Sequence, residues 1–503
     1  MSGKTLMVQG TGSGVGKSIL TAGLCRLAFR RGIRVAPFKG QNMALNSFVT
    51  RDGAEIGRAQ AYQAEASGIP PCAEMNPILL KPLADNLSQI IVMGKAVGSR
   101  DAGGYYERHA QYKEVVLRAL ATLRSRFDLV VMEGAGSPAE INLKQWDLVN
   151  MSLALWAEAP VLIVGDIDRG GVFAWMKGTF DLLPQEEKDR VAGFVINKFR
   201  GDLSLLQPGI RQFEDLVQKP VYGTVPYCRE LVVDEEDAIP DGQYPAEDFE
   251  ERPLDVAVIR FPHIANFTDL APLAHDPSVS MRYVTHPGQL GTPDLIVIPG
   301  TKNTLDDLHF IQSRGMVQSI LHRHSTGSLI LGICGGFQML GNCVRDPHHV
   351  ESRLEKIDGL GLFNHDTTMM KEKITRQIRR TTLASAIFRP GLTVEGYEIH
   401  SGITRFPSSP RDLFSGQNGE EPHGFGIVDG DGTVVGTYLH GFLDNDDLRN
   451  EFLGYVREKR GLRPAAQRFH YRMFREKQLD RLGDLVETSL DVKRIFELAE
   501  IAS

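Results

Sequence analysis

Short apolar runs recur along this chain, each closed by glycine or polar residues and most followed by a stretch with helical spacing. In the first half, Thr5–Gln9, Arg34–Phe38, Gln89–Met93, Asp128–Met132, Pro160–Gly165 and Val191–Ile196 read as strands. Runs this short and this apolar suit strands covered on both faces. Between them, Leu20, Leu24, Leu27 and Ala28 fall on one helical face, and Glu55–Ala66 also has a helical pattern. Met75–Pro82 (MNPILLKP) reads as a polar-tipped corner. Repeated strand-then-helix units predict an α/β fold with a mostly parallel, doubly wound sheet.

The pattern lapses over 234–253, which is acidic, carries Pro240, Pro245 and Pro253, and reads as an interdomain linker. It resumes with Asp255–Arg260, Asp294–Ile298, Leu329–Leu331, Gly424–Val428 and Thr433–Leu439, the strands of a second α/β domain. Beyond Leu443 the chain turns helical and charged, with Tyr455, Phe469, Phe474, Leu479, Leu482, Leu485, Leu490 and Ile495 able to bury one face. The expected division is 1–233, linker 234–253, 254–447 and a helical C-terminal segment 448–503, and 503 residues are too many for one ordinary core.

Composition narrows the class. Hydrophobic residues at 42% and charged residues at 24% are those of a soluble globular protein. A net charge of −7 argues against a general binder of nucleic acid or anionic membrane. No apolar run approaches a membrane span, and Gly10–Ser18 interrupts any signal-peptide core at the N-terminus. The five cysteines (Cys25, Cys72, Cys228, Cys334, Cys343) are scattered and form no CxxC pair, so neither a disulfide framework nor a zinc site is expected, and a reducing cytoplasm fits.

The first strand runs into GTGSGVGKS, Gly10 to Ser18, and then a helix. Backbone N–H groups of such a loop and the helix N-terminus surround phosphate oxygens. Gly10, Thr11, Gly14 and Gly16 form the cradle, Lys17 contacts the terminal phosphates of ATP, and the Ser18 hydroxyl ligates Mg²⁺. The first glycine stands one residue earlier than in GxxxxGK[ST], a spacing that resembles the dethiobiotin-synthetase-like branch of P-loop proteins. Ligands gather at the carboxyl ends of parallel strands. Lys39, after Phe38, is therefore a candidate for a substrate carboxylate or a transferred phosphate, with Gln41, Asn42 and Asn46 as nearby amides. Glu133, after DLVVM, is a second metal candidate. Asp166 and Asp168 offer a further carboxylate or phosphate contact, and Asn197 is placed to read an adenine edge.

In the second domain, LILGICGGFQMLG (Leu329–Gly341) is a strand, a glycine turn and a helix start. Such a corner pushes the Cys334 sulfur out of the fold, and the helix N-terminus favours thiolate. The Gly335 N–H is an oxyanion donor, and Gly300, in PGTKNT, offers a second. His440, at a strand end in TYLHG, is the favoured general base, with His400 in GYEIHSG as its rival. A P-loop domain joined to a Cys–His domain suggests ATP-activated amide formation fed by ammonia from glutamine: phosphorylation turns a carboxylate into an acyl phosphate, and ammonia displaces phosphate.

The elbow LGICGGFQMLG and the corner TYLHG resemble class I glutamine amidotransferase domains, in which the cysteine attacks the glutamine side-chain amide and the histidine relays protons. The glutamate that usually follows that histidine by two is Phe442 here, which matches the cobyrinic/cobyric acid synthase branch and leaves the third member open. GTGSGVGKS, PFKGQNMALNS, EIGRAQAYQAEA, MNPILLKP, VVMEGAGSPAEINL, VGDIDRGGVF, GFVINKFRGD and PGTKNT occur in that family's order over roughly residues 5 to 445. The resemblance implies ATP- and glutamine-dependent amidation of the b, d, e and g carboxylates of adenosylcobyrinic acid a,c-diamide, with a corrinoid as the small-molecule partner. It implies Cys334 as nucleophile, His440 as its partner, and Lys17, Ser18 and Glu133 at the ATP–Mg²⁺ site. Two other readings stand beside it: amidation of another polycarboxylate, such as cobyrinic acid at its a and c positions, and a P-loop switch ATPase with an inactive amidotransferase-like module.

Overall fold

The computed structural model describes residues 3–84, 87–100, 108–228, 230–233, 243–244, 253–416 and 425–501. The linker expected over 234–253 lies outside them apart from 243–244 and Pro253, as does Gly424 of the expected strand Gly424–Val428. The chain forms two compact units, Met1–Glu236 with Arg475–Ser503, and Asp237–Phe474.

The first unit is built on a parallel sheet of six described strands, in the order Val221–Pro226, Val191–Phe199, Val161–Asp166, Lys4–Gly10, Leu129–Glu133, Val35–Phe38. Leu6, Val8, Val131 and Val164 point to one face, and Met7, Val130, Met132 and Ile163 to the other. This period-two division is what a strand buried on both sides requires. The strand order reverses between Lys4–Gly10 and its neighbours, and such a switch point opens a crevice at the carboxyl ends.

Beside this sheet stands a smaller one, ordered Gln41–Met43, Ile78–Ala84, Leu87–Val92, Lys95–Arg100, together with the hairpin Ser47–Val49 and Glu55–Gly57. It corrects two expectations. Glu55–Gly57, expected to open a helix, pairs as a strand, and the helix is Arg58–Ala66. MNPILLKP, expected as a corner, delivers Ile78–Ala84 into a hairpin. Local helix propensity at Glu55 yields to its ion pair with Lys81, 2.9 Å away and equally buried.

The second unit carries a sheet with the parallel core Val279–Val284, Leu254–Ile259, Leu295–Ile298, Leu329–Ile333, Val434–Thr437. Ile427–Val428 adds to it antiparallel. A long hairpin, Asp366–Thr381 with Thr393–Arg405, forms most of a separate sheet. The helix Asp446–Lys459 packs in this unit.

The last residues return to the first unit. Leu479, Leu482 and Val486 of the helix Tyr471–Ser489 are buried with Leu20, Leu24 and Leu27 of the P-loop helix Lys17–Arg30. Flanking ions align with this contact: Arg26 reaches Glu476 at 2.8 Å and Asp480 at 2.9 Å, Arg30 reaches Asp484 at 2.6 Å, and Arg31 reaches Glu487 at 2.9 Å. Leu482→Ala removes a fully buried side chain from this seam. It is expected to destabilise the first unit by about 2–5 kcal/mol. Denaturant titration checks this, read from a probe in that unit; an unchanged midpoint would show that the seam contributes nothing.

Candidate active site

In the second unit, Cys334 occupies φ 53° and ψ −108° between the strand Leu329–Ile333 and the helix Gly335–Met339. A non-glycine residue adopts such a backbone only when its surroundings impose it. Here the cause is a close approach. A β-carbon on Gly336 would lie 1.8 Å from the Ile298 carbonyl oxygen, so the glycine lets the elbow press onto the neighbouring strand. The Cys334 N–H is tied to the Thr437 carbonyl at 2.7 Å, and its Sγ lies 3.7 Å from the Ile399 carbonyl oxygen.

His440 follows the strand Val434–Thr437 and is held from both sides of its backbone by Tyr397, with N–H to O distances of 2.9 and 3.0 Å. Its ring stacks on Tyr397. Nδ1 meets Asp269 Oδ2 at 2.6 Å, and the other carboxylate oxygen accepts the Gly441 N–H at 3.0 Å. Asp269 comes from the one-turn helix Phe267–Leu270, which opens at the left-handed residue Asn266. Burial, the largest influence on His440, disfavours the charged ring. The charges of Asp269 and Cys334 outweigh it, and the imidazole is pushed up to about 10.

Gly300 faces this pair: a β-carbon there would stand 3.4 Å from His440 Cε1 and 3.8 Å from Cys334 Cβ. A β-carbon on Gly335 would stand 3.2 Å from the Thr301 nitrogen, so these two backbone segments converge on the sulfur. His400, the rival base, is stacked on Tyr438 at 3.8 Å, donates from Nδ1 to the Gly402 carbonyl at 2.8 Å, and has Nε2 3.6 Å from Glu398. The structure thus brings His440 to Cys334 and gives His400 to a carboxylate. Asp269 is the residue that sequence reasoning missed. Its signal was faint: a polar corner, HIANFTD, after the first strand of the unit.

In the first unit, Gly10 ends the first strand, and the Thr11 N–H bonds Val164 O at 2.9 Å. Gly14 and Gly16 are left-handed, and Gly16 caps the helix Lys17–Arg30. Lys17 Nζ reaches the carbonyls of Gly12 at 2.8 Å and Gly136 at 3.1 Å. The Ser18 hydroxyl donates to Glu133 Oε1 at 2.8 Å, and Lys39 Nζ meets the same oxygen at 2.9 Å. Gln63 donates to Oε2 at 2.6 Å. Burial alone would push the Glu133 carboxyl up, but Lys39, Gln63 and Lys17 together hold it below the usual carboxylate range. Asn197 lies against the loop, with Nδ2 bonding Val15 O at 2.8 Å and Oδ1 accepting its neighbour's N–H at 2.8 Å. Lys198 bonds Gly14 O at 2.7 Å and pairs with Asp166 at 2.9 Å. Gln63 and Lys198 are further contacts to the loop and its carboxylate that the sequence did not single out.

Among the described residues no group of three or more His, Cys, Asp or Glu converges as a metal cage. A hydroxyl and a carboxylate 2.8 Å apart do fit Mg²⁺, which takes few protein oxygens and completes its shell with phosphate and water. No described helix is long and apolar enough to cross a membrane.

Comparison with known proteins gives two family matches, a CobQ/CobB/MinD/ParA nucleotide binding domain over residues 6–240 and a CobB/CobQ-like glutamine amidotransferase domain over residues 255–448. Along its whole length the chain is similar to cobyric acid synthases. That of Caldanaerobacter subterraneus subsp. tengcongensis is 46% identical, covering 98% of each chain. That of Sorangium cellulosum is 47% identical, covering 98% of each. That of Clostridium botulinum strain Langeland is 46% identical, covering 98% of this chain and 99% of the relative.

Because the folded His440 pKa, about 10, lies above the ordinary imidazole value of 6.5, its pairing contributes stability that is fully present below pH 6.5. That contribution is lost as pH rises through 10. Asp269→Asn is expected to bring the imidazole pKa down, to flatten this pH dependence and to slow Cys334 alkylation near neutrality. NMR titration of labelled histidine and iodoacetamide kinetics check it; an unmoved titration would disconnect Asp269 from the ring.

Proposed function

The chain belongs to the cobyric acid synthase family, and on that premise we propose that it converts adenosylcobyrinic acid a,c-diamide to adenosylcobyric acid, amidating the b, d, e and g carboxylates with glutamine as nitrogen source and ATP as activator. It is a glutamine-dependent ligase with a nucleotide-binding domain and an amidotransferase domain. The observation that supports the finer reading is the joint presence of His440, held by Asp269 beside Cys334, and a phosphate loop whose Ser18 meets Glu133.

In the amidotransferase unit, the Cys334 thiolate attacks the glutamine side-chain carbonyl carbon. The N–H groups of Gly335 and Gly300 stabilise the oxyanion. Imidazolium His440 gives its proton to the departing nitrogen, and ammonia leaves. His440, now neutral, takes a proton from water, which attacks the γ-glutamyl thioester to release glutamate and restore the thiolate. Asp269 keeps Nδ1 occupied, so Nε2 does the proton work.

In the nucleotide-binding unit, the loop N–H groups and Lys17 hold the ATP phosphates. Ser18 and Glu133 are the residues that would hold Mg²⁺, which when bound neutralises charge on the transferring phosphate. Lys39, at the carboxyl end of its strand, orients the carboxylate that attacks the γ-phosphorus. Ammonia then displaces phosphate from the acyl phosphate and leaves the amide.

The decisive experiment is mass spectrometry of cobyrinic acid a,c-diamide incubated with the chain, glutamine, ATP and Mg²⁺. Four successive carboxyl-to-amide conversions are expected, each with ATP consumed. Glutamine hydrolysis without a mass change would point to another acceptor, such as cobyrinic acid at its a and c positions. Neither event in folded protein would favour a P-loop switch.

Two substitutions separate the units. Cys334→Ala is expected to abolish glutamine-driven amidation, by at least roughly a thousandfold, while ammonia-driven amidation continues; equal loss of both, at equal stability, would sink the division of labour. Lys17→Ala is expected to stop amidation from either nitrogen source, and full ammonia-driven turnover in that variant would refute the ATP-site assignment.

A further inference from the structure

A backbone N–H stabilises an oxyanion only where it is held in place. Gly300 sits in the loop between the strand Leu295–Ile298 and the helix Thr304–Ser313, and loops move unless they are tied. A second loop ties this one. The Ala265 N–H donates to the Gly300 carbonyl at 3.0 Å, the Lys302 N–H donates to the His263 carbonyl at 2.9 Å, and Ile264 pairs with Thr301 in an antiparallel bridge. The chain from His263 continues into the one-turn helix that presents Asp269 to His440.

Asp307 closes on both loops. It lies in the first turn of the helix Thr304–Ser313 and is fully buried. Its Oδ1 accepts from His263 Nδ1 at 2.8 Å, and its Oδ2 accepts the His263 N–H at 3.3 Å. The same Oδ2 accepts the Thr301 hydroxyl, which in turn accepts the Asn303 N–H at 3.0 Å. Capping does not account for this carboxylate, because Asn303 already caps the helix by accepting the Asp306 N–H at 3.1 Å. A carboxylate out of water is costly unless it is hydrogen-bonded, so its donors are bound to stay on it. Those donors belong to the two loops, and one side chain therefore fixes each against the other.

We propose that Asp307 is a positioning residue for glutamine hydrolysis, which acts through Thr301 and His263 to fix the Gly300 N–H where the oxyanion forms. The inference rests on the glutaminase reading above and adds to it a residue that works through others. His440 has its own supports in Tyr397 and in the contact of Asp269 with the Gly441 N–H. Loosening Asp307 thus reaches the oxyanion donor and spares the proton relay.

The test sets glutamine hydrolysis by the full chain against alkylation of Cys334 by iodoacetamide, read by peptide mass spectrometry. Hydrolysis builds negative charge on a carbonyl oxygen. Alkylation forms a sulfur–carbon bond as iodide leaves and builds no oxyanion. Asp307→Ala is expected to lower kcat for glutamine by roughly 100-fold, the cost of displacing such a group by about 1 Å, with KM and the alkylation rate unchanged. Thr301→Val keeps the side-chain shape and removes the hydroxyl. It is expected to lower kcat roughly 10-fold, the lower end of what a hydrogen bond to a charged group commands, and it carries the test should Asp307→Ala not fold. Wild-type kcat in the folded variants overturns the proposal. Hydrolysis and alkylation slowing in step, the mark of a merely structural role, overturns it too, as does a raised KM at constant kcat. A wild-type chain that is alkylated at Cys334 but hydrolyses no glutamine overturns the glutaminase reading, and this inference with it.

Discussion

A carboxylate taken out of water must be paired, and both candidate sites are arranged around that constraint. Glu133 is fully buried at the end of a central strand, where Lys39, Ser18 and Gln63 all spend hydrogen bonds on it. Asp269 is buried beside His440 and takes a second hydrogen bond from the Gly441 backbone. At Glu133 desolvation disfavours charge and Lys39 restores it. The consequence is positional. Lys39, Ser18 and His440 are aimed by carboxylates that have nowhere else to turn.

The reactive parts were legible in the sequence because their chemistry is local. A glycine loop before Lys17-Ser18, and a cysteine between an apolar run and two glycines, are written in consecutive residues. Glu133 was legible as well, since an acidic residue closing an apolar strand has few other places to go. The partners were not legible, because pairing is a property of the fold. Lys39 and Glu133 are 94 residues apart and Asp269 and His440 are 171 apart. Only the strand order, which no local pattern specifies, brings them together.

The same division explains the misread elements. Buried parallel strands announce themselves as apolar runs. The long hairpin does not: Asp366–Thr381 mixes Lys, Glu, Arg and Gln with apolar residues, and much of it is only partly buried. Its importance comes from where it lies, since Tyr397 fixes the His440 backbone and Ile399 offers its carbonyl to the Cys334 sulfur. Cysteine chemistry shows the contrast from another side. Cys25 is buried without a cation, and burial pushes its thiol up to about 12. Cys334 differs in its neighbour, His440, which Asp269 holds at Nδ1, and composition cannot reveal that.

Phe442 shows why the carboxylate had to come from elsewhere. The residue two after the histidine, acidic in the usual amidotransferase triad, is here almost wholly buried among Phe388, Phe414 and Phe452, with ring centroids 5.8 to 6.3 Å away. A glutamate in that aromatic cluster would have no partner and would cost several kcal/mol. Yet the imidazole still needs an acceptor at Nδ1, or its proton would settle on either nitrogen and the ring would turn freely. The one-turn helix after the first strand of the unit meets that need by presenting Asp269 to the ring. What the reaction demands is a carboxylate oxygen at one atom of one ring, and the chain supplies it from whichever segment its core leaves free.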